Sequence, residues 1–98
     1  MADRAVVRVG VLGAGAWARG AHLPGYRRDS RCCIAGIADT DIARARQAAE
    51  EFDVPIAVAD PRALIERDDI DLIDVCTPSH THFELAWSAL EADRKSVV

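Results

Sequence analysis

With 98 residues, half of them apolar, the chain can build one core and not two; a domain of this size buries roughly 60–70% of its extended surface. The 12 basic and 16 acidic residues leave a net charge of −4 with no cluster of basic side chains, which argues against a nucleic-acid surface. No apolar run approaches the ~18 residues a membrane span needs. Met1-Ala2-Asp3-Arg4 leads into a strand rather than an apolar signal core, so the expected location is the cytoplasm.

Val6 to Leu12 reads as a first strand, and Gly13-Ala14-Gly15 follows it directly. Strand, two glycines one residue apart and a helix start make the phosphate-holding corner of a doubly wound nucleotide fold. Gly13 suits the sharp turn. Gly15, without a Cβ, lets a pyrophosphate approach the backbone. Ala18 fills the third small position, where helix and strand pack closely. The N–H groups at the helix start would face the phosphates. Trp17 lies beside this turn, either over the pyrophosphate or under a neighbouring loop.

A first helix is expected from Ala16 towards Tyr26, disturbed near Pro24, then a polar turn through Arg27-Arg28-Asp29-Ser30. His22, within or just after that helix, suits a structural role better than a functional one. Cys32 to Ala38 is a nearly continuous apolar run, as expected of a strand covered on both faces. Thr40 caps a second helix, Asp41 to Phe52, with Ile42, Ala45, Ala49 and Phe52 on its buried stripe. Val54 to Val58 is a short edge strand, since Pro55 removes a ladder donor. Asp60-Pro61 opens a short helix to about Arg67, and Asp68-Asp69 turns into a fourth strand, Ile70 to Cys76. A last helix runs from His80 or Thr81 to Ala92, with Phe83, Leu85, Ala86 and Leu90 buried. Asp93 to Val98 approaches a fifth strand.

This alternation predicts an α/β fold over residues 1–98, a doubly wound parallel sheet of four strands plus the stub of a fifth. In the usual order, 3-2-1-4, ligand binds where strands one and four diverge. Thr77-Pro78-Ser79-His80-Thr81-His82 therefore lies beside the glycine turn. Thr77 and Pro78 are expected to line the cofactor crevice, with His80 and His82 either in its wall or bonded at the helix start. Asp39, at the end of strand two and 21 residues after Ala18, can accept from both ribose hydroxyls of an adenosine and repel a 2′-phosphate. NAD is the expected cofactor; Arg44 or Arg46, one turn on, leaves NADP open.

The three cysteines fit no metal spacing, and His80 and His82 lack a third ligand, so no metal is expected. Cys32, Cys33 and Cys76 read as small buried residues, the first two pointing to opposite faces of their strand. Asp74, within an apolar strand, needs a partner that the sequence does not identify.

Together these residues resemble the glucose–fructose oxidoreductase and inositol dehydrogenase family, Gfo/Idh/MocA. The resemblance spans nearly the whole chain. It runs through Val9-Gly10-Val11-Leu12-Gly13-Ala14-Gly15, Ala21-His22-Leu23-Pro24 and Ile37-Ala38-Asp39. It continues in Asp71-Leu72-Ile73-Asp74-Val75-Cys76-Thr77-Pro78-Ser79-His80-Thr81-His82, then Glu84-Leu85-Ala86 and Ala89-Leu90-Glu91-Ala92. The threonine-proline-polar-histidine stretch is far more specific than the glycine turn. The resemblance implies an N-terminal NAD(P)-binding Rossmann domain followed by a larger substrate domain, in enzymes that act by hydride transfer on sugars, cyclitols and related alcohols. By motif match, Gly13, Gly15 and Ala16 would approach the pyrophosphate and Asp39 the ribose. Thr77, Pro78, His80 and His82 would lie on the nicotinamide side.

The family continues with a glycine, a fifth strand and a Glu-Lys-Pro motif whose lysine touches substrate and nicotinamide. Here Asp93 stands in the glycine's place, and Lys95 comes too early, without the flanking Glu and Pro. No catalytic residue is assigned, the substrate domain is expected to lie outside these residues, and the last residues look unrelated to the family. The chain is expected to be the front of an oxidoreductase, inert alone, with strand four a sheet edge open to self-association. The alternatives are a non-catalytic NAD-binding or interaction module and, more remotely, a methyltransferase. Against the latter, Val9 and Gly10 stand where its acidic residue would precede the glycines.

Overall fold

The computed structural model describes residues 6–77, 85, 87, 88, 91 and 96–98. Its centre is β1, Val7–Leu12, whose Val9, Val11 and Leu12 are fully buried. Two parallel strands flank it: β2, Cys32–Ala38, and β4, Leu72–Val75. β3, Ala57–Val58, and β5, Ser96–Val97, complete a parallel sheet in the order β3-β2-β1-β4-β5. This is the expected doubly wound α/β arrangement. Strand order reverses between β1 and β4, which places the crevice at the carboxyl ends of those two strands.

Helices cover both faces. The first helical stretch, 16–28, contains a π-helical segment, Ala18–His22, and an α-helical one, α1, Leu23–Arg28. The wide turn, in which Leu23 N–H bonds to Ala18 O, absorbs Pro24, which follows it at the start of α1. The disturbance expected at Pro24 thus takes the form of a widened turn, and the helix runs on past Tyr26. Helix α2, Ile42–Glu51, lies on the same face. Ala18, Leu23, Ala45 and Ala48 are all fully buried there, against Val9, Val11, Ile34 and Ile37.

On the opposite face α3, Arg62–Ile65, brings Leu64 and Ile65 onto Leu12, Ala38, Ile73 and Val75. A bulge at Ala35, between the pairs Val9–Ile34 and Gly10–Gly36, resets the alternation along β2. Ile34 and Ile37 therefore both face α1 and α2, while Ala35 and Ala38 face α3.

Several local expectations change. The cap of α2 is Asp41, not Thr40: its side chain accepts from Ala43 N–H at 3.1 Å and Arg44 N–H at 3.4 Å. Asp39 ties down Asp41 N–H at 2.9 Å, which holds 39–41 in a turn and delays the helix. The third strand shrinks to two residues after Pro55, at the sheet edge as expected. Cys33 is exposed, and Cys32 and Cys76 are half-buried, so the cysteines are not simply core.

Strand β4 is not an edge. Val75 N–H donates to Val98 O, and Val98 N–H to Ile73 O, both at 2.9 Å, so β5 covers it. Of the last predicted helix, Leu85, Trp87, Ser88 and Glu91 are helical, and Leu85 packs on the α3-side core. Its other positions lie outside the described residues. No helix among the described residues is long and apolar enough to cross a membrane.

Candidate dinucleotide site

Gly13 turns the chain off β1 with φ +105°, a conformation that disfavours side chains. A Cβ there would stand 2.9 Å from the carbonyl carbon of Cys76 and 3.1 Å from Thr77 N. The turn after β1 and the loop after β4 are thus in backbone contact, and Cys76 N–H bonds to Leu12 O at 2.7 Å. The expected neighbourhood of Thr77 and the glycine turn is present. Pro78, His80 and His82 lie outside the described residues.

The helix that begins at Ala16 makes its first backbone bond from Arg19 N–H to Gly15 O, at 3.0 Å. The N–H groups of Ala16, Trp17 and Ala18 precede it and have no intrahelical carbonyl to reach. Among the described residues Gly15 is open: a Cβ on it would meet only Arg44, at 3.7 Å from a guanidinium nitrogen. Ala18 is fully buried, as the third small position requires. Trp17 is 67% exposed, its ring 5.6 Å from that of His22.

Asp39 closes the other side of the turn. Its Oδ2 accepts Ala14 N–H at 2.8 Å and its Oδ1 accepts Asp41 N–H at 2.9 Å. One carboxylate therefore links the glycine turn to the start of α2, and each oxygen keeps lone-pair capacity for a further donor. Arg44 stands over the same place, its Nε 3.9 Å from Asp39 Oδ2 and its NH2 group 3.8 Å from Asp41 Oδ2. Arg44 is thus the arginine brought to the site.

Behind the crevice lies a cluster that sequence spacing does not reveal. Asp74 is 1% exposed and projects from β4 towards the first helix. Tyr26 OH donates to its Oδ2 at 2.7 Å, and His22 Nδ1–H donates to the same oxygen at 2.5 Å. These are the partners the buried carboxylate requires, supplied by two residues one helical turn apart. Cys76 Sγ adds a weak contact to Asp74 Oδ1 at 3.5 Å. Burial and the neighbouring carboxylate push the Cys76 thiol up to about 12 and hold the Tyr26 phenol well above its ordinary range.

A parallel sheet with its switch point at a glycine turn, an acid at the end of β2 and free helix N–H groups define a dinucleotide-binding domain. Residues 7–98 match the model of the oxidoreductase family with an NAD-binding Rossmann fold, Gfo/Idh/MocA, and the chain belongs to that family. The match includes the C-terminal residues that the sequence alone set apart.

The chain is 33% identical over 85 residues to inositol 2-dehydrogenase 4 of Saccharopolyspora erythraea, covering 87% of this chain and 25% of that one. It is 36% identical over 91 residues to a dTDP-3,4-didehydro-2,6-dideoxy-alpha-D-glucose 3-reductase of Saccharopolyspora spinosa, covering 93% and 27%. Among solved structures, a 3-ketoreductase from Actinomadura kijaniata in complex with NADP superposes with a TM-score of 0.89 at 33% identity, over 95% of this chain and 29% of that one. The chain spans about a quarter of the length of the curated relatives it matches.

Proposed function

We propose that the chain is the nucleotide-holding part of an NAD(P)-dependent oxidoreductase that transfers hydride to or from a sugar, cyclitol or related alcohol, and that it turns over no substrate alone. The observation that carries this reading is the Asp39 carboxylate bonded to Ala14 N–H within the glycine turn. That bond sets a ribose acceptor beside a pyrophosphate seat. The names of two relatives, an inositol 2-dehydrogenase and a dTDP-3,4-didehydro-2,6-dideoxy-alpha-D-glucose 3-reductase, support the substrate class.

The bound dinucleotide supplies the hydride chemistry. The residues of this chain hold it. Gly13 makes the turn, its own N–H bonded to Ala38 O at 2.6 Å, and brings the N–H groups of Gly15 and Ala16 to the pyrophosphate at the helix N-terminus, with Trp17 screening it from one side. Asp39 accepts from the adenosine ribose. Thr77, Pro78, His80 and His82 form the nicotinamide side. Proton transfer to substrate is assigned to no residue of this chain.

NAD is the preferred cofactor, because Asp39 repels a 2′-phosphate. Arg44 moderates that preference, since its guanidinium lies beside the same carboxylate and could pair with a phosphate. Calorimetric titration with NAD and NADP tests this. NAD should bind more tightly, and Arg44→Ala should weaken NADP by about tenfold while changing NAD little. Equal losses for both cofactors would contradict the assignment. NAD-dependent oxidation of myo-inositol by the purified chain would contradict its inertness.

A further inference from the structure

We propose that His22, Asp74 and Cys76 form a binding site for a thiophilic divalent cation, with zinc the best match. One Nδ1, one carboxylate and one Sγ, from two elements, lie within 4.8 Å of one another. Tetrahedral zinc with ordinary bond lengths spaces a sulfur about 3.6 Å from a nitrogen or oxygen ligand. Here Cys76 Sγ is 3.4 Å from His22 Nδ1 and 3.5 Å from Asp74 Oδ1. With Oδ1 as the ligating oxygen, His22 Nδ1 gives up its 2.5 Å contact with Asp74 Oδ2 and turns to the ion. His22 can make that movement: its side chain is 30% exposed and packs on one side against Trp17 alone among the described aromatics.

Charge favours the same occupant. Asp74 is buried, and among the described residues no lysine or arginine pairs with it. Carboxylate plus thiolate carry two negative charges, which a divalent ion neutralises beside a carboxylate already out of water. On binding, the thiol proton passes to solvent. The imidazole passes its proton from Nδ1 to Nε2 through solvent and ligates through the freed Nδ1, so the ligand set is one neutral and two anionic donors. Tyr26 OH, on Asp74 Oδ2 at 2.7 Å, orients the carboxylate from outside the ligand set. Three protein ligands and a partly exposed histidine leave the fourth position to water.

Cobalt(II) titration of the purified chain, read by absorption, tests the site with a probe that reports sulfur ligation. The proposal predicts tetrahedral cobalt bands in the visible, a thiolate charge-transfer band in the near ultraviolet, and displacement of both by zinc. Cys76→Ser should lose the charge-transfer band, and Cys33→Ser, at an exposed position, should keep it. Tyr26→Phe should weaken cobalt roughly tenfold while the ligands stay in place. Should Cys76→Ser not fold, the Tyr26→Phe and Cys33→Ser results decide alone. Folded wild-type protein with no cobalt bands, or a charge-transfer band lost in Cys33→Ser, would overturn the proposal.

Discussion

Gly13 carries more structural constraint than any other residue of the site. Two demands meet there, a φ of +105° and a backbone contact that leaves no room for a methyl group. Gly13→Ala would have to adopt a strained conformation and push its Cβ away from the Cys76 carbonyl carbon, 2.9 Å distant. The expected cost is roughly 2–4 kcal/mol, from backbone strain plus overpacking. Urea unfolding monitored by circular dichroism would show it as a lower midpoint; a loss of stability under about 0.5 kcal/mol would contradict the account. Gly15 differs: among the described residues only Arg44 would come within 4 Å of a Cβ there, so Gly15→Ala should cost far less stability than Gly13→Ala.

At the scale of elements, the first helix and β4 are joined through a polar contact as well as an apolar one. Tyr26 and His22 both reach Asp74, and Cys76 completes the patch. This contact gives the fold a pH dependence on the alkaline side. In the unfolded chain the Cys76 thiol ionises near 9.0, whereas in the folded chain it holds its proton to about 12. Tyr26 shifts in the same direction from 10.0. The unfolded state therefore binds fewer protons above about pH 9, and stability falls as pH rises through that range. The urea midpoint should drop between about pH 7.5 and 10.5, and Cys76→Ser should recover part of the loss. A wild-type midpoint unchanged over that range would refute the coupling.

Much of the element pattern was legible in the sequence because it follows from apolar runs and glycine punctuation. The strand order and the nearness of Thr77 to Gly13 came from topology alone. What could not be read were features that depend on side chains meeting across the fold. Asp74 and its two partners are separated by 48 and 52 residues, so no local spacing announces them. The widened turn at Ala18–His22 was visible only as a helix troubled by Pro24. The cap moved from Thr40 to Asp41 because Asp39 reaches over to Asp41 N–H, a bond between neighbours that propensity does not encode. The pairing of β5 on β4 rested on a two-residue strand too short to carry a pattern.

Over the whole molecule, the sheet order sets β1 between its two longest contacts and gathers the glycine turn, Asp39 and the Cys76–Thr77 loop at one end. The chain presents at that end a turn with free N–H groups and a carboxylate held by two backbone bonds. The central claim is that this end binds a dinucleotide through the glycine turn and Asp39 together. Calorimetric titration of the folded chain with NAD, compared with Asp39→Ala, tests it most directly. The account predicts binding by the wild type and at least about tenfold weaker binding by the variant, the loss of a charge-assisted acceptor. Equal affinity of the two folded proteins for NAD would contradict it.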